Sequence, residues 1–262
     1  MIIGIYAPKP NMGASTLARE LANHAAARDR KVLLVELEYH YPSAAIEWGM
    51  ADSKRCLERA IADRMESDDW RLEKYLLPHG PSNNPSAVPQ RRTKGRSSDL
   101  RMLVPSGMRG FEHIPGEPES FVPEVCRQAE QLGFHWVILD ISSDADSMLT
   151  ISALRHVDLC ITIHDDRIAH RTLFRHRWNL LRCLGWSSPV IPVSVRLRPG
   201  KQRSRANPDL EDWEQPRVAF PYVRNSALFS FSGWRYRKAL KLLFRLIQRM
   251  EQQTMVKGGD QR

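Results

Sequence analysis

Five short apolar runs separated by stretches of helical periodicity constrain this chain more than any other feature. They are IIGIYA (2–7), KVLLVELE (31–38), FHWVILDISS (134–143), DLCITIH (158–164) and PVIPVSV (189–195), with RMLVPSG (101–107) and RVAFPY (217–222) as shorter candidates. A strand covered on both faces reads as a continuous apolar run, and parallel strands need a crossover of a dozen or more residues between them. The intervening segments supply such crossovers: STLARELANHAAARDR (15–30), PESFVPEVCRQAEQLG (118–133) and DDRIAHRTLFRHRWNLLRCLG (165–185). In the first of these Leu17, Leu21 and Ala25 mark an inner face. The rhythm predicts an α/β fold with a doubly wound, mainly parallel sheet flanked by helices. Further helices are expected around 52–64 and 68–77 and over 234–252. The segment 78–99 is rich in Pro, Ser, Asn and Arg and predicts a mobile surface loop within one domain spanning 1–262, since the same rhythm resumes after it.

Between the first run and the first helix stands KPNMGAST (9–16). A strand–turn–helix junction in such a sheet presents backbone N–H groups and a helix N-terminus to an anion. Gly13 permits a tight bend there, and Ser15 or Thr16 can cap the helix or offer a hydroxyl to Mg²⁺. Junctions of this kind occur in α/β proteins of every function.

The residues go further than the pattern. KPNMGAST resembles, without a gap, the deviant Walker A loop K-G-G-x-G-K-(S/T)-T of the ParA/MinD-type P-loop ATPases of the SIMIBI class. LARELANHAAARDRKVLLVELE is similar to that family's first helix and second strand, and HWVILDISSDAD to its Walker B strand and switch region. The likeness runs in order over roughly residues 1–195. The central part looks most like the pilus-associated CpaE/TadZ branch, in which RMLVPSG would be the strand before the Walker B helix.

The resemblance implies roles for particular residues. Lys9 matches the signature lysine that reaches the nucleotide across a homodimer, and Gly13 the retained loop glycine. Ser15 matches the Mg²⁺-binding hydroxyl, Thr16 the hydroxyl near the α-phosphate, and Asp140 the Walker B aspartate. Glu36 and Glu38 stand where the family has two aspartates, the second of them associated with the attacking water. The departures carry equal weight. Ala14 stands where a lysine neutralises the β- and γ-phosphates, and Pro10 and Asn11 replace both glycines, the proline removing a backbone donor. Charge stabilisation is most of what a phosphoryl-transfer enzyme supplies, so losing that lysine costs orders of magnitude in rate unless Lys9 bends inward. ATP or ADP with Mg²⁺ and no nucleotide at all are both compatible with this loop.

Two basic surfaces complete the reading. The chain has 39 Lys and Arg against 30 Asp and Glu, a formal charge of +9 that favours anionic partners. In the terminal helix Tyr236, Leu240, Leu243, Ile247 and Met250 make an apolar stripe, opposed by Arg237, Lys238, Lys241, Arg245 and Arg249. That is the pattern of a membrane-surface helix, and equally of a last helix packed on the sheet with a solvated basic side. In 165–185, Arg167, Arg171 and Arg175 lie four apart and Arg182 continues the same side. They suit phosphates, as in non-specific DNA binding by ParA relatives, or a plain exposed face. Asp144 and Asp146 belong either to a switch loop or, for Asp146, to the cap of the next helix. The cysteines (Cys56, Cys126, Cys160, Cys183) form no CxxC pair and read as free thiols. With no bilayer-length apolar run and no signal-peptide pattern, the expected place is the cytoplasm, including the cytoplasmic face of the inner membrane.

The expected function is a localisation or assembly scaffold with a degenerate nucleotide site, dimeric, serving protein partners of a pilus, secretion or similar membrane-associated machine. Its rivals are a working ATPase cycling on DNA or membrane and a nucleotide-independent binding module.

Overall fold

The computed structural model describes residues 1–38, 42–43, 54–67, 69–78, 99–106, 118–165, 168–195, 216–221 and 231–259. Its strands are β1 (Ile2–Tyr6), β2 (Val32–Glu36), β3 (Leu77–Pro78), β4 (Leu100–Leu103), β5 (Trp136–Ile141), β6 (Leu159–His164), β7 (Val190–Val195) and β8 (Val218–Phe220). The helices are α1 (Ala14–Ala26), α2 (Leu57–Glu66), α3 (Phe121–Gln131), α4 (Met148–His156), α5 (Ile168–Cys183) and α6 (Phe231–Gly259). The strands form one eight-stranded sheet in the order β3-β4-β2-β5-β1-β6-β7-β8. Every pairing is parallel except the short β3–β4 contact.

The apolar runs sort onto the two faces with the period of two that a pleated strand imposes. Ile3, Ile5, Val32, Leu34, Trp136, Ile138, Leu159 and Ile161 point to one core with α1 and α6. Tyr6, Leu33, Val35, Val137, Leu139, Ile141 and Cys160 point to the other, under α2, α3, α4 and α5. Gly4 faces this second core, where a Cβ would lie 2.8 Å from both Ile141 Cδ1 and Val157 Cγ1. Overpacking of this kind costs about 1–3 kcal/mol. Gly4→Ala is therefore expected to lower the unfolding free energy read from urea melts by that much; an unchanged value would mean that α4 has room to shift.

β1 and β5 lie side by side, and their connections leave in opposite directions. β1 reaches β2 through α1 on one face, and β5 reaches β6 through α4 on the other. Such a switch point, at the carboxyl ends of the strands, is where open α/β sheets form their ligand crevice.

Three expectations need correction. Within 68–77 the chain makes only a 3₁₀ turn (Leu72–Tyr75) and then β3. Contacts from α3 override local helix propensity there: Gln128 Oε1 accepts from the Leu72 amide at 2.7 Å, and its Nε2 donates to the Trp70 carbonyl at 3.1 Å. Asp146 is not the cap of α4, since Ser147 occupies that position without a side-chain cap bond. α6 is longer than 234–252, running over 231–259. The expected loop at 78–99 lies, from 79 to 98, outside the described residues.

α6 docks through its apolar stripe. Tyr236, Ala239, Leu240, Leu243, Phe244 and Ile247 are buried in the first core, against β8 and α1. One end meets the carboxyl edge of the sheet, where Tyr236 lies 4.9 Å from the Phe220 ring. Near the other end Glu251 pairs with Arg30 at 3.0 Å and accepts from Trp136 Nε1 at 3.1 Å. The stripe is thus used inside the fold, and the outward face carries Arg235, Arg237, Lys238, Lys241, Arg245 and Arg249. Among the described residues no helix is long and apolar enough to cross a membrane.

Candidate functional site

At the switch point β1 runs into the loop 7–13, which turns sharply into α1. Asn11 and Gly13 both adopt left-handed backbone, with φ of 62° and 90°. For glycine this is free, whereas asparagine is one of the few other residues that tolerate it. The Gly13 carbonyl accepts from the Leu17 amide at 3.0 Å, so α1 begins directly after the bend. No acid of α1 itself occupies its first turn.

Ser15, in that first turn, hydrogen-bonds the Asp140 carboxylate near the end of β5. Asp140 is only 2% exposed, and burial is the main force on it, raising its pKa to about 7. The Ser15 hydrogen bond and the positive charge of Arg19 oppose that rise, while the charge of Glu38 adds to it. Arg19 is itself buried, one turn further along α1, with Nη2 donating to Thr16 Oγ1 at 3.5 Å.

The end of β2 closes the other side. The Leu37 amide donates to the Asp140 carbonyl at 2.9 Å, which carries Glu38 across to the loop after β5. There Ser142 Oγ donates to Glu38 Oε2 at 2.9 Å. Glu36 is fully buried at the end of β2, accepting from Ser43 Oγ at 3.4 Å.

Ser15 and Asp140 thus offer Mg²⁺ an adjacent hydroxyl and carboxylate. Mg²⁺ is commonly held by one or two protein oxygens, with phosphate and water completing its shell. Among the described residues no three His, Cys, Asp or Glu side chains gather to hold a metal by themselves. The phosphate half fits less well: Ala14 brings no charge, Pro10 no N–H, and Lys9 is exposed at the beginning of the loop.

The structure therefore brings together Gly13, Ser15, Asp140 and Glu38, with Lys9 and Thr16 at the exposed rim. Arg175 is exposed on α5, far along the chain from the loop; Arg167 and the Arg171 side chain lie outside the described residues. Two cations missed in the sequence complete the surroundings. Arg19 is one. The other is Arg177, whose Nη1 donates to the Pro8 carbonyl at 2.6 Å and also to the Ser143 carbonyl. The available signal was position: Arg177 falls between the inward-facing Phe174 and Trp178, off the stripe that Arg171 and Arg175 define.

No family model and no curated protein matches the sequence. Solved structures do match the fold. The cell division ATPase MinD of Pyrococcus furiosus superposes with a TM-score of 0.67 at 16% identity, over 94% of this chain and 98% of that one. A plasmid partition protein of Borrelia burgdorferi, solved bound to AMPPNP, gives 0.65 at 14% identity over 95% and 98%. A chain of the MinC:MinD cell division protein complex of Aquifex aeolicus gives 0.63 at 12% over 94% and 95%. The fold is that of the ParA/MinD P-loop proteins.

Proposed function

We propose that this chain is a ParA/MinD-like P-loop protein with a degenerate nucleotide site, acting as a dimeric localisation or assembly scaffold for a pilus, secretion or similar membrane-associated machine. One observation carries the reading: Ser15 lies against the Asp140 carboxylate, an arrangement that suits Mg²⁺, while position 14 has no cation to set against phosphates. Such a site keeps the means to hold a nucleotide and lacks most of what accelerates phosphoryl transfer. In this reading ATP or ADP with Mg²⁺ stabilises a conformation and a dimer interface and is not consumed. Ser15 and Asp140 hold the metal, Gly13 and the first turn of α1 meet the phosphates, Thr16 lies beside them, and Lys9 reaches toward the partner copy. AMPPNP in the Borrelia neighbour and the MinC:MinD pairing support a nucleotide and a protein partner for this fold.

The outward face of α6 supports placement on an anionic surface. Over 231–250 it contains no acid, and Trp234 and Leu242 are exposed among its cations, with Lys238 Nζ 5.6 Å from the Trp234 ring. The inner membrane surface at its cytoplasmic side is the partner we assign to it, ahead of non-specific DNA.

A second reading has one observation in its favour: Lys9 carries its charge on the loop itself and is exposed there, and bent inward it would supply what position 14 lacks and sustain an active ATPase. Titration calorimetry of the full chain with ATP and ADP, with Mg²⁺ present, separates the readings. Binding without measurable phosphate release supports the scaffold, and turnover abolished by Lys9→Ala supports the ATPase. No binding at millimolar nucleotide leaves a nucleotide-independent module. Flotation with anionic liposomes of the full chain against a variant with Arg237, Lys238, Lys241 and Arg245 changed to glutamine tests the surface. Equal flotation of the two removes it.

A further inference from the structure

We propose that Arg177 is the positioning residue of this site, a single guanidinium that sets the loop after β1, the loop after β5 and, through the latter, Glu38. The proposal takes its functional meaning from the degenerate nucleotide site above, although the clamp itself needs no nucleotide.

The platform is closely packed. α5 is pinned to the second core by Phe174, Trp178 and Leu181, and its aromatic row is continuous: His164 to Phe174 at 4.2 Å, Phe174 to Trp178 at 5.6 Å, and Trp178 to Trp186 at 4.4 Å. From that row the half-buried Arg177 reaches the carboxyl ends of two neighbouring strands. Its Nη1 donates both to the Pro8 carbonyl, just past β1, and to the Ser143 carbonyl, just past β5. An arginine suits this task because its charge is permanent and its donors are held in a plane.

Peptide planarity carries the effect onward. In a trans peptide the carbonyl and the following N–H point in opposite directions, and the described chain has no cis bond. A Pro8 carbonyl turned to Arg177 therefore turns the Lys9 amide away from it. A Ser143 carbonyl turned to Arg177 likewise turns the Asp144 amide away, where it donates to Ser142 Oγ at 3.2 Å. That hydroxyl in turn donates to Glu38 at 2.9 Å. One cation thus orients the first amide of the phosphate loop and, through two hydrogen bonds, the carboxylate at the far side of the Ser15–Asp140 pair. The left-handed Asn11 and the donorless Pro10 make this loop one that benefits from an outside anchor.

The test is hydrogen–deuterium exchange of the full chain without nucleotide, for wild type, Arg177→Met and Arg177→Lys. Charge-assisted bonds of this kind shift local opening by about tenfold to a hundredfold. Arg177→Met is expected to speed exchange by that factor at the Asp144 amide and at the loop amides 11–13, leaving β1 and β5 protected. Arg177→Lys keeps the charge but not the planar fork, and is expected to fall between the two. If Arg177→Met does not fold, the comparison of wild type with Arg177→Lys decides alone. Unchanged exchange at both loops overturns the proposal, and so does an equal rise throughout β1 and β5, which would make Arg177 a packing residue only. Absent nucleotide binding in calorimetry overturns the nucleotide reading and leaves these exchange rates, and the clamp, as they are.

Discussion

Replacing Ala14 with lysine is expected to tighten ATP binding, in the presence of Mg²⁺, by about tenfold to a hundredfold. Position 14 is the first residue of α1, directly after the left-handed Gly13, so a long side chain there starts from the bend of the loop. A hydrogen bond between a charged donor and phosphate is worth about 1.5–3 kcal/mol, which corresponds to that range. Calorimetry of Ala14→Lys against Ala14→Met separates charge from side-chain length. If both variants bind like the wild type, the loop does not meet phosphates in the way its neighbours' fold suggests. Phosphate release measured on the same samples shows whether the restored charge also returns turnover.

Asp140→Asn is expected to stabilise the protein strongly at alkaline pH and to have little effect in acid. Burial raises the Asp140 pKa to about 7, above the value of an unfolded aspartate. The folded chain therefore binds this proton more tightly than the unfolded chain does, and stability falls as the proton is lost. That contribution is complete below about pH 4 and is lost as pH rises through 7. The mutant's advantage therefore grows with pH and is fully developed above about pH 8. Asparagine keeps an oxygen for Ser15 and never ionises. Urea melts of both proteins at pH 5 and pH 9 give the comparison, and a mutant gain that does not grow with pH would show that Arg19 fully compensates the charge.

The strands were legible because a parallel strand covered on both faces leaves an unbroken apolar run, and the switch point follows from their order. That Ser15 and Asp140 meet was legible for a different reason: the resemblance to the Walker A and Walker B segments sets one at the start of a helix and the other near the end of a strand, and the structure brings those ends together. Arg19 and Arg177 were not. Periodicity assigns the cations of an amphipathic helix to its outer side, and these two depend on contacts that form only when distant segments meet. Arg19 is buried beside Asp140, 121 positions away by number, and Arg177 meets carbonyls of residues 8 and 143. The turn at 72–75 was hidden similarly, since Gln128 of α3 decides it. The terminal helix left two readings open because one apolar stripe suits either a lipid surface or a protein core. The packing of Leu243 and Ile247 selects the core.

The lie of that helix has a practical side. Tyr236 touches Phe220 at the carboxyl edge of the sheet, while Glu251 is held by Arg30 and Trp136 near the amino ends of β2 and β5. Fifteen residues of α-helix, at 1.5 Å each, separate these anchors by about 22 Å. A fluorophore or fusion attached beyond α6 therefore leaves the molecule on the side away from the Ser15–Asp140 pair. A label near Trp234 reports from the same side as that pair. Two dyes so placed give an imaging probe and a binding sensor that do not obstruct each other.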